Sequence, residues 1–391
     1  MDVIFLLKQL VAIRSDRNAK TEGGIFEFGV AQFLKKYIAE QLPGFQVVEE
    51  PIAEGRVNLF VHDGTPVRLF LIGHMDTVEE GDGWTKNVRG EEKDGKLYGR
   101  GSADMKGGIA AIVAALTYAQ KNGATGVGAL FYCDEEYYFA GMKKFLEQHP
   151  NDLKPELVVC PEPTQGLIRR GCRGIIQFRA VVRGKKGHVA RPKSGNNAID
   201  AMMIGLEALR QTYANGEKPD AYLGGETFTL SSIAGGAVQA ETKTGTPLFS
   251  SVGNVIPDYC EAMVDMRTIA SLSFDEIANT FRAAVEKTGC TVGKMISELS
   301  VGSFTTEESL LAPVEAAQAA AFGRVAYESA AAGGYSDVQM IAEAWNVPAV
   351  VWGPKGAGMH GVDEYVDLKS VEQLADAFCR LVDHVQNLSH E

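Results

Sequence analysis

The chain has 391 residues, more than one ordinary hydrophobic core accommodates, so two domains are expected. Its composition, with 45% hydrophobic and 23% charged residues, is typical of a globular protein. A formal net charge of −12 argues against a general nucleic-acid-binding protein, because such proteins bind by neutralising phosphates. The six cysteines are scattered and include no C-x-x-C pair, which indicates reduced thiols rather than a disulfide framework.

The first residues of the chain do not have the pattern of a secretory signal peptide. They lack a basic region followed by a long apolar stretch. The apolar-rich run at 109–119 is too short to span a bilayer. We therefore expect a cytoplasmic protein without a membrane partner.

Local patterns predict helices and strands in alternation. Residues 1–14 and 25–42 carry apolar side chains at helical spacing and predict two amphipathic helices. The runs 57–61 and 67–72 predict two strands that pair around a turn at 63–66. Further along, the sequence predicts a helix and then more strands.

Three later apolar runs, at 126–133, 157–160 and 348–352, predict buried strands. A helix from 109 to about 122 precedes the first of them, and Gly123 suits its C-terminal end. Strands that alternate with helices favour an α/β fold with a largely parallel sheet.

The stretch 174–291 follows a different order of strand, helix, strand, strand, helix, which is typical of a split β-α-β unit. We therefore predict fold class α/β, with a catalytic domain of mostly parallel sheet flanked by helices and an inserted α+β sandwich of ferredoxin-like type. The catalytic domain is predicted to be discontinuous, covering 1–173 and 292–391.

Side chains of types that can bind metal ions follow four of the predicted buried strands, and one more lies in a glycine-rich loop before a helix. These candidate ligands are His74, Asp104, Glu135, Glu136, Glu162 and His360. Because open α/β sheets gather their sites at the carboxyl ends of strands, we expect these groups to converge. Two histidines and three carboxylates suit a pair of metal ions, and the remaining glutamate is then free to act as a general base.

Five motifs together resemble the dinuclear-zinc amidohydrolase and metallopeptidase family that includes acetylornithine deacetylase, succinyl-diaminopimelate desuccinylase, aminoacylase and glutamate carboxypeptidase. The motifs are Gly73-His-Met-Asp-Thr77, Tyr98-Gly-Arg-Gly-Ser-Ala-Asp-Met-Lys-Gly-Gly108, Asp134-Glu-Glu136, Glu162-Pro-Thr164 and Met359-His-Gly361. The resemblance covers nearly the whole chain. It implies two Zn²⁺ ions per chain, with Co²⁺ or Mn²⁺ as substitutes.

The resemblance also implies a role for each ligand. His74 and Glu162 would bind one zinc ion, and Glu136 and His360 the other. Asp104 would bridge the two ions.

Three catalytic residues follow from the same resemblance. Glu135 would be the general base, and Asp76 would orient His74. The inserted domain, 174–291, would be a lid or dimerisation domain, so a homodimer is expected. His188 would reach the partner subunit's active site and stabilise the tetrahedral oxyanion.

Substrate contacts are predicted from charge and from the resemblance. Nine basic and no acidic residues occur between 169 and 193, and Arg173 among them could bind a substrate carboxylate. The predicted substrate-binding residues are Arg173, Asn254, Arg267, Gly334 and Tyr335. Many relatives have threonine where this chain has Tyr335, so the resemblance leaves the substrate's identity open.

The predicted function is hydrolysis of the amide bond of an N-acyl amino acid, deacetylase- or desuccinylase-like, by a water that bridges two zinc ions. The alternative is a zinc carboxypeptidase or dipeptidase of the same family, acting on short peptides. A nucleotide-binding enzyme is disfavoured because residues 99–101 lack the spacing of phosphate-binding motifs. A metal-free interaction protein would be expected to lack a ligand or the base, and here none is missing.

Overall fold

The computed structural model describes residues 2–21, 24–150, 153–214, 219–269, 272–329 and 334–387. The chain divides into two compact units. The first unit comprises Met1–Cys172 with Phe304–Glu391, and the second comprises Arg173–Ser303. None of the helices in the described segments combines the length and apolarity that crossing a bilayer demands.

The elements are numbered in chain order over the described residues. The α-helices are α1 Val3–Ala12, α2 Phe28–Gln41, α3 Gly107–Asn122, α4 Ala140–Gln148, α5 Ala198–Leu209, α6 Phe274–Glu286, α7 Ala312–Phe322, α8 Val338–Trp345 and α9 Leu368–Asn387. The β-strands are β1 Lys20–Thr21, β2 Gly24–Ile25, β3 Gln46–Ala53, β4 Arg56–His62, β5 Leu69–His74, β6 Glu91–Lys93, β7 Lys96–Tyr98, β8 Val127–Tyr132, β9 Leu157–Cys160, β10 Gly171–Cys172, β11 Gly174–Arg183, β12 Thr227–Gly236, β13 Val238–Glu241, β14 Pro247–Phe249, β15 Tyr259–Thr268, β16 Thr291–Val301, β17 Phe304–Thr305, β18 Ala349–Val351, β19 Gly356–Ala357 and β20 Tyr365–Asp367.

The first unit is built on a six-stranded sheet in the order β18-β9-β5-β8-β4-β3. The strands β18, β9, β5 and β8 run parallel, while β4 and β3 are antiparallel to their neighbours. Every residue of the four parallel strands is buried, because helices cover the sheet on both faces. Their burial explains why these strands are continuous apolar runs in the sequence. Their parallel orientation places their carboxyl ends at one edge of the sheet.

The predicted pairing of the strands at 57–61 and 67–72 is wrong, because β8 lies between β4 and β5. The turn that was expected to close this hairpin instead binds the start of β8. The backbone N–H of Gly126 donates to the Asp63 carboxylate at 2.8 Å and to the Thr65 hydroxyl at 2.9 Å. The strand β4 forms its hairpin with β3.

The second unit is a four-stranded antiparallel sheet in the order β12-β15-β11-β16, with α5 and α6 packed against it. Burial alternates along β11 and β15, so one face of the sheet forms a core with the two helices. The helices pack closely at Gly205, where a Cβ atom would lie 2.5 Å from the Phe281 ring.

This order of elements is the predicted ferredoxin-like sandwich, and the predicted α/β fold with a separate α+β unit is confirmed. The sequence-based boundary at residue 291 falls on the first residue of β16. Because β16 pairs along β11, the compact unit continues to Ser303.

Candidate metal centre

Five of the predicted ligands lie together at the carboxyl edge of the parallel strands. Asp104 is central, with Oδ1 3.1 Å from His74 Nε2 and Oδ2 3.4 Å from His360 Nε2. A Glu162 oxygen lies 3.3 Å from His74 Nε2, and a Glu136 oxygen lies 3.0 Å from His360 Nε2. The side chains therefore form two three-residue donor groups that share Asp104, each with its ligand atoms within 4.8 Å of one another.

The first donor group is anchored by the end of β5. His74 is its last residue and is fully buried, and its Nδ1 lies 3.0 Å from the main-chain carbonyl oxygen of Asp76. The Asp76 carboxylate is 3.7 Å away, too far for a good hydrogen bond. It accepts the backbone N–H groups of Glu135 and Glu136 instead, each at 3.1 Å. The predicted orienting contact therefore comes from the carbonyl of Asp76, and the carboxylate positions the glutamate pair.

The chain turns sharply after β8, and this turn directs the two glutamates toward the centre. Asp134 adopts the left-handed conformation, with φ of 68°, and its carbonyl accepts the N–H of Phe139 at 2.7 Å. Its carboxylate accepts Arg56 Nη1 at 2.9 Å. Arg56 also donates from Nε and Nη2 to the buried Glu27 at 2.8 and 2.9 Å. The turn is thus held by a buried ionic network.

The electrostatics of the centre are those of a cation site. Burial alone would raise the pKa of Asp104, but hydrogen bonds from His360 and His74 hold it below its ordinary range. Hydrogen bonds to Asp104 and Glu136 raise the pKa of His360 to about 10. Burial and then the charge of Asp104 raise the pKa of Glu162 to about 7. The carboxylates thus concentrate negative charge that bound protons or a metal ion would balance.

The donor set fits divalent metal ions. Two imidazole nitrogens and three carboxylates match the nitrogen and oxygen ligands of zinc and of similar metals. Glu135 belongs to neither donor group, although it lies beside them. Burial raises the pKa of Glu135 well above its ordinary value, and the charge of His74 opposes this shift.

A cleft of about 430 Å³ opens beside the donor groups within the first unit. Besides Glu135 and the ligands Asp104, Glu136, Glu162 and His360, it is lined by Pro163, Gln165, Arg169, Glu328, Gly334, Tyr335 and Met359. The predicted residues Gly334 and Tyr335 therefore lie next to the centre. The Tyr335 ring packs edge to face against Phe139, with the ring centres 5.5 Å apart.

Sequence reasoning missed several residues of this cleft. Arg169 and Glu328 form an ion pair with Nε and Oε2 2.6 Å apart, and Gln165 donates to the carbonyl of Gly356. Arg169 belongs to the basic stretch at 169–193, but the sequence-based prediction names only Arg173 from that stretch as a substrate-binding residue. Glu328 and Gln165 carried no signal, because neither belongs to a recognisable motif.

The other predicted substrate and catalytic residues belong to the second unit. They are Arg173, His188, Asn254 and Arg267. Arg173 Nη1 donates to the carbonyl of Gly225 at 3.1 Å, and Arg267 Nε donates to Asp265 at 2.9 Å. Both arginines therefore have contacts within their own unit, and in the first unit it is Arg169 that lines the cleft.

His188 and Asn254 lie on two neighbouring segments of the second unit. The carbonyl of Asn254 accepts the N–H of Val189 at 3.2 Å. The N–H of His188 donates to the Ser194 hydroxyl at 3.1 Å, and its Nδ1 accepts the N–H of Ala190 at 3.2 Å. The His188 side chain is exposed.

Comparisons with known proteins identify the family. The model of peptidase family M20/M25/M40 matches residues 70–384. A succinyl-diaminopimelate desuccinylase from Acidiphilium cryptum is 30% identical over 325 residues, which are 80% of this chain and 82% of the relative.

Two solved structures share the fold. An M20 family metallo-carboxypeptidase from Sulfolobus solfataricus has a TM-score of 0.72 at 15% identity, covering 99% of this chain and 100% of that one. A dinuclear metal-binding M20 peptidase from Bacillus subtilis has a TM-score of 0.68 at 14% identity, covering 98% of both chains. The resemblance read from the sequence motifs is confirmed, and the chain belongs to peptidase family M20/M25/M40, a family of dinuclear metal peptidases and amidohydrolases.

Proposed function

We propose that this enzyme hydrolyses the amide bond of an N-acyl amino acid, with a dicarboxylic acyl group such as succinyl as the first candidate. The observation that carries the proposal is the carboxylate of Asp104, which presents one oxygen to each of two donor groups. The 30% identity to a desuccinylase supports the substrate class.

In this proposal the chain holds two Zn²⁺ ions, for which Co²⁺ or Mn²⁺ could substitute. His74, Asp104 and Glu162 would hold one ion, and Asp104, Glu136 and His360 would hold the other. Two such ions, when bound, supply Lewis acidity to the amide carbonyl and lower the pKa of a nucleophilic water.

Glu135 is the proposed general base. Its carboxylate lies in the cleft outside both donor groups, and its backbone N–H is fixed by Asp76. It accepts a proton from the attacking water and later donates that proton to the leaving nitrogen. Burial, which raises the pKa of Glu135, makes its carboxylate a stronger proton acceptor.

We further propose that the second unit forms a homodimer and that His188 stabilises the oxyanion in the partner subunit's site. Large apolar side chains exposed on this unit support a subunit contact. They are Met203 and Ile204 of α5 and Leu230 and Ile233 of β12.

Mixing two inactive variants tests this arrangement. Wild-type His188 and wild-type Glu135 meet in one site only when His188→Ala and Glu135→Gln chains combine. Subunit exchange should then restore roughly a quarter of wild-type activity in an equimolar mixture. Absence of any recovery between exchanged subunits would place His188 outside the partner's site.

The second candidate function is that of a carboxypeptidase or dipeptidase. Glu328 favours it, because its carboxylate, which pairs with Arg169 through Oε2, lines the cleft and could also accept a hydrogen bond from the free α-amino group of a peptide. The zinc-loaded protein should be assayed against N-acetyl amino acids, N-succinyl amino acids and dipeptides. Turnover of the acylated amino acids supports the first proposal, and turnover of dipeptides alone supports the second. Inactivity on every amide would overturn both.

A further inference from the structure

A further carboxylate, that of the buried residue Glu364, lies beside the centre without belonging to either donor group. It has no exposed surface and follows His360 in the same loop, before β20. A buried carboxylate needs partners, because an unpaired buried charge is strongly unfavourable. The partners of Glu364 all come from the segment that carries Asp104.

Each oxygen of the Glu364 carboxylate accepts two hydrogen bonds. Oε1 accepts the backbone N–H groups of Ala103 and Asp104, at 3.0 and 3.1 Å. Oε2 accepts the backbone N–H of Gly101 at 3.0 Å and Nη1 of Arg100 at 2.7 Å. One side chain therefore binds the backbone just before the shared metal ligand, and at that ligand itself.

The backbone around Asp104 cannot satisfy these donors alone. Asp104 has φ of −116° and ψ of 92°, so the chain is not helical there, although α3 begins shortly afterwards at Gly107. A buried N–H without an acceptor destabilises the fold, because the group has lost its hydrogen bond to water. Glu364 supplies the acceptor for the N–H groups of Gly101, Ala103 and Asp104.

Arg100 extends this set of contacts to the other metal ligand. It is 3% exposed, and its Nη2 donates to the carbonyl of Gly361 at 2.8 Å, directly after His360. In addition, the N–H of Gly99 donates to the main-chain carbonyl of Glu364 at 2.9 Å. The loop of Asp104 and the loop of His360 are thus joined through Glu364 and Arg100.

We infer that Glu364 is a positioning residue for the metal centre. It holds the Asp104 backbone so that each carboxylate oxygen faces a different histidine, and it joins that backbone to the loop of His360. The inference rests on the proposed two-metal function. Both carboxylate oxygens are required, because a glutamine would turn an NH₂ group toward two of the donors that Glu364 now accepts.

The test compares Glu364→Gln with a matched control, Glu372→Gln, which makes the same change at an exposed position of α9. Zinc affinity is measured by chelator competition, and the geometry of the site is read from the visible absorption of the Co²⁺-loaded protein. Loss of a ligand-orienting partner typically lowers metal affinity about 10–100-fold. We expect that loss and an altered Co²⁺ spectrum in Glu364→Gln, and neither change in the control.

A second variant, Glu364→Asp, keeps the charge but shortens the side chain, and it decides the question if Glu364→Gln does not fold. Zinc affinity within twofold of wild type together with an unchanged Co²⁺ spectrum in a folded variant overturns the inference. If wild type binds two ions and the variant matches it, only the role of Glu364 fails. If wild type itself binds fewer than two ions, the proposed function fails as well.

Discussion

The imidazole Nδ1 of His74 lies 3.0 Å from the main-chain carbonyl oxygen of Asp76, and 3.7 Å from its carboxylate. A carbonyl acceptor cannot be protonated in the physiological range, so across that range it can hold the ring with Nε2 toward the centre. The Asp76 carboxylate is thereby available for the backbone of Glu135 and Glu136. One residue orients a ligand with its backbone and the proposed base with its side chain.

Asp76→Asn should lower kcat while metal content stays near the wild-type value. The carboxamide has only one acceptor oxygen, so one of the N–H groups of Glu135 and Glu136 loses its partner, while the backbone contact to His74 remains. We expect kcat to fall about 10–100-fold. Kinetics and metal analysis check this, with the exposed Asp82→Asn as control. Metal loss with unchanged kcat per bound ion would show that the carboxylate orients His74.

Glu135→Ala should abolish turnover and leave both metal ions bound. Removing a general base costs about 10²–10⁴-fold in rate, and the side chain belongs to neither donor group. Its neighbour provides the matched control, because Glu136→Ala should lose metal as well as activity. Metal analysis and kcat of the two variants separate these roles. Retained turnover in Glu135→Ala would remove it from the base role.

His74→Ala and His360→Ala should each lower the bound zinc from two ions to about one per chain. The two histidines belong to different donor groups, so each substitution leaves the other group intact. His384→Ala, on α9 of the same unit, serves as the control. Metal analysis of dialysed protein gives the stoichiometry. Two retained ions in either variant would contradict the assignment of that histidine.

Zinc binding should release protons, and the affinity should rise with pH. The carboxylates of Asp104 and Glu136 raise the pKa of His360 to about 10, so this histidine is protonated at neutral pH. It must lose that proton before its nitrogen can bind a metal. Burial raises the pKa of Glu162 to about 7, so a proton on this ligand competes with the metal in the same way. Calorimetry in buffers of different ionisation enthalpy counts the released protons. Equal zinc affinity at about pH 6 and about pH 8 would contradict this prediction.

Arg56→Ala should lower the free energy of unfolding by about 3–5 kcal/mol, because it leaves the buried carboxylate of Glu27 without its partner. Arg56 is the shared partner of Glu27 and Asp134. Lys144→Ala breaks the exposed ion pair with Glu147 and should cost at most about 1 kcal/mol. Urea unfolding measures the free energy of unfolding of both variants. Equal, small effects would show that Arg56 does not stabilise the fold.

The position of the centre could be predicted because its information is local. His74, Glu136 and Glu162 each follow a buried apolar run, and parallel strands bring such ends together. The pairing of strands, in contrast, depends on residues that are far apart in the sequence. β4 pairs with β8, which lies far along the chain, and Asp63 and Thr65 bind the N–H of Gly126 just before β8. No periodicity in the sequence indicates these contacts.

The position of Arg169 in the cleft, which the sequence did not distinguish from that of Arg173, shows a second limit of sequence reasoning. The two arginines lie close in sequence, but β10 pairs with β17 between them and closes the first unit. Arg169 therefore lines the cleft, whereas Arg173 starts the other unit. Glu364 could not be found either, because its backbone partners leave no pattern of residue types.

The interrupted first unit also determines the order in which the centre is made. A ribosome synthesises His74, Asp104 and Glu162 early, then the whole of Arg173–Ser303, and only afterwards His360. The nascent chain thus contains every residue of one donor group long before it contains the other. The edge strand Ala349–Val351 is also made late, so the sheet beneath the centre is incomplete until then. Metal capture during synthesis would therefore be sequential, with the group of His74 available first.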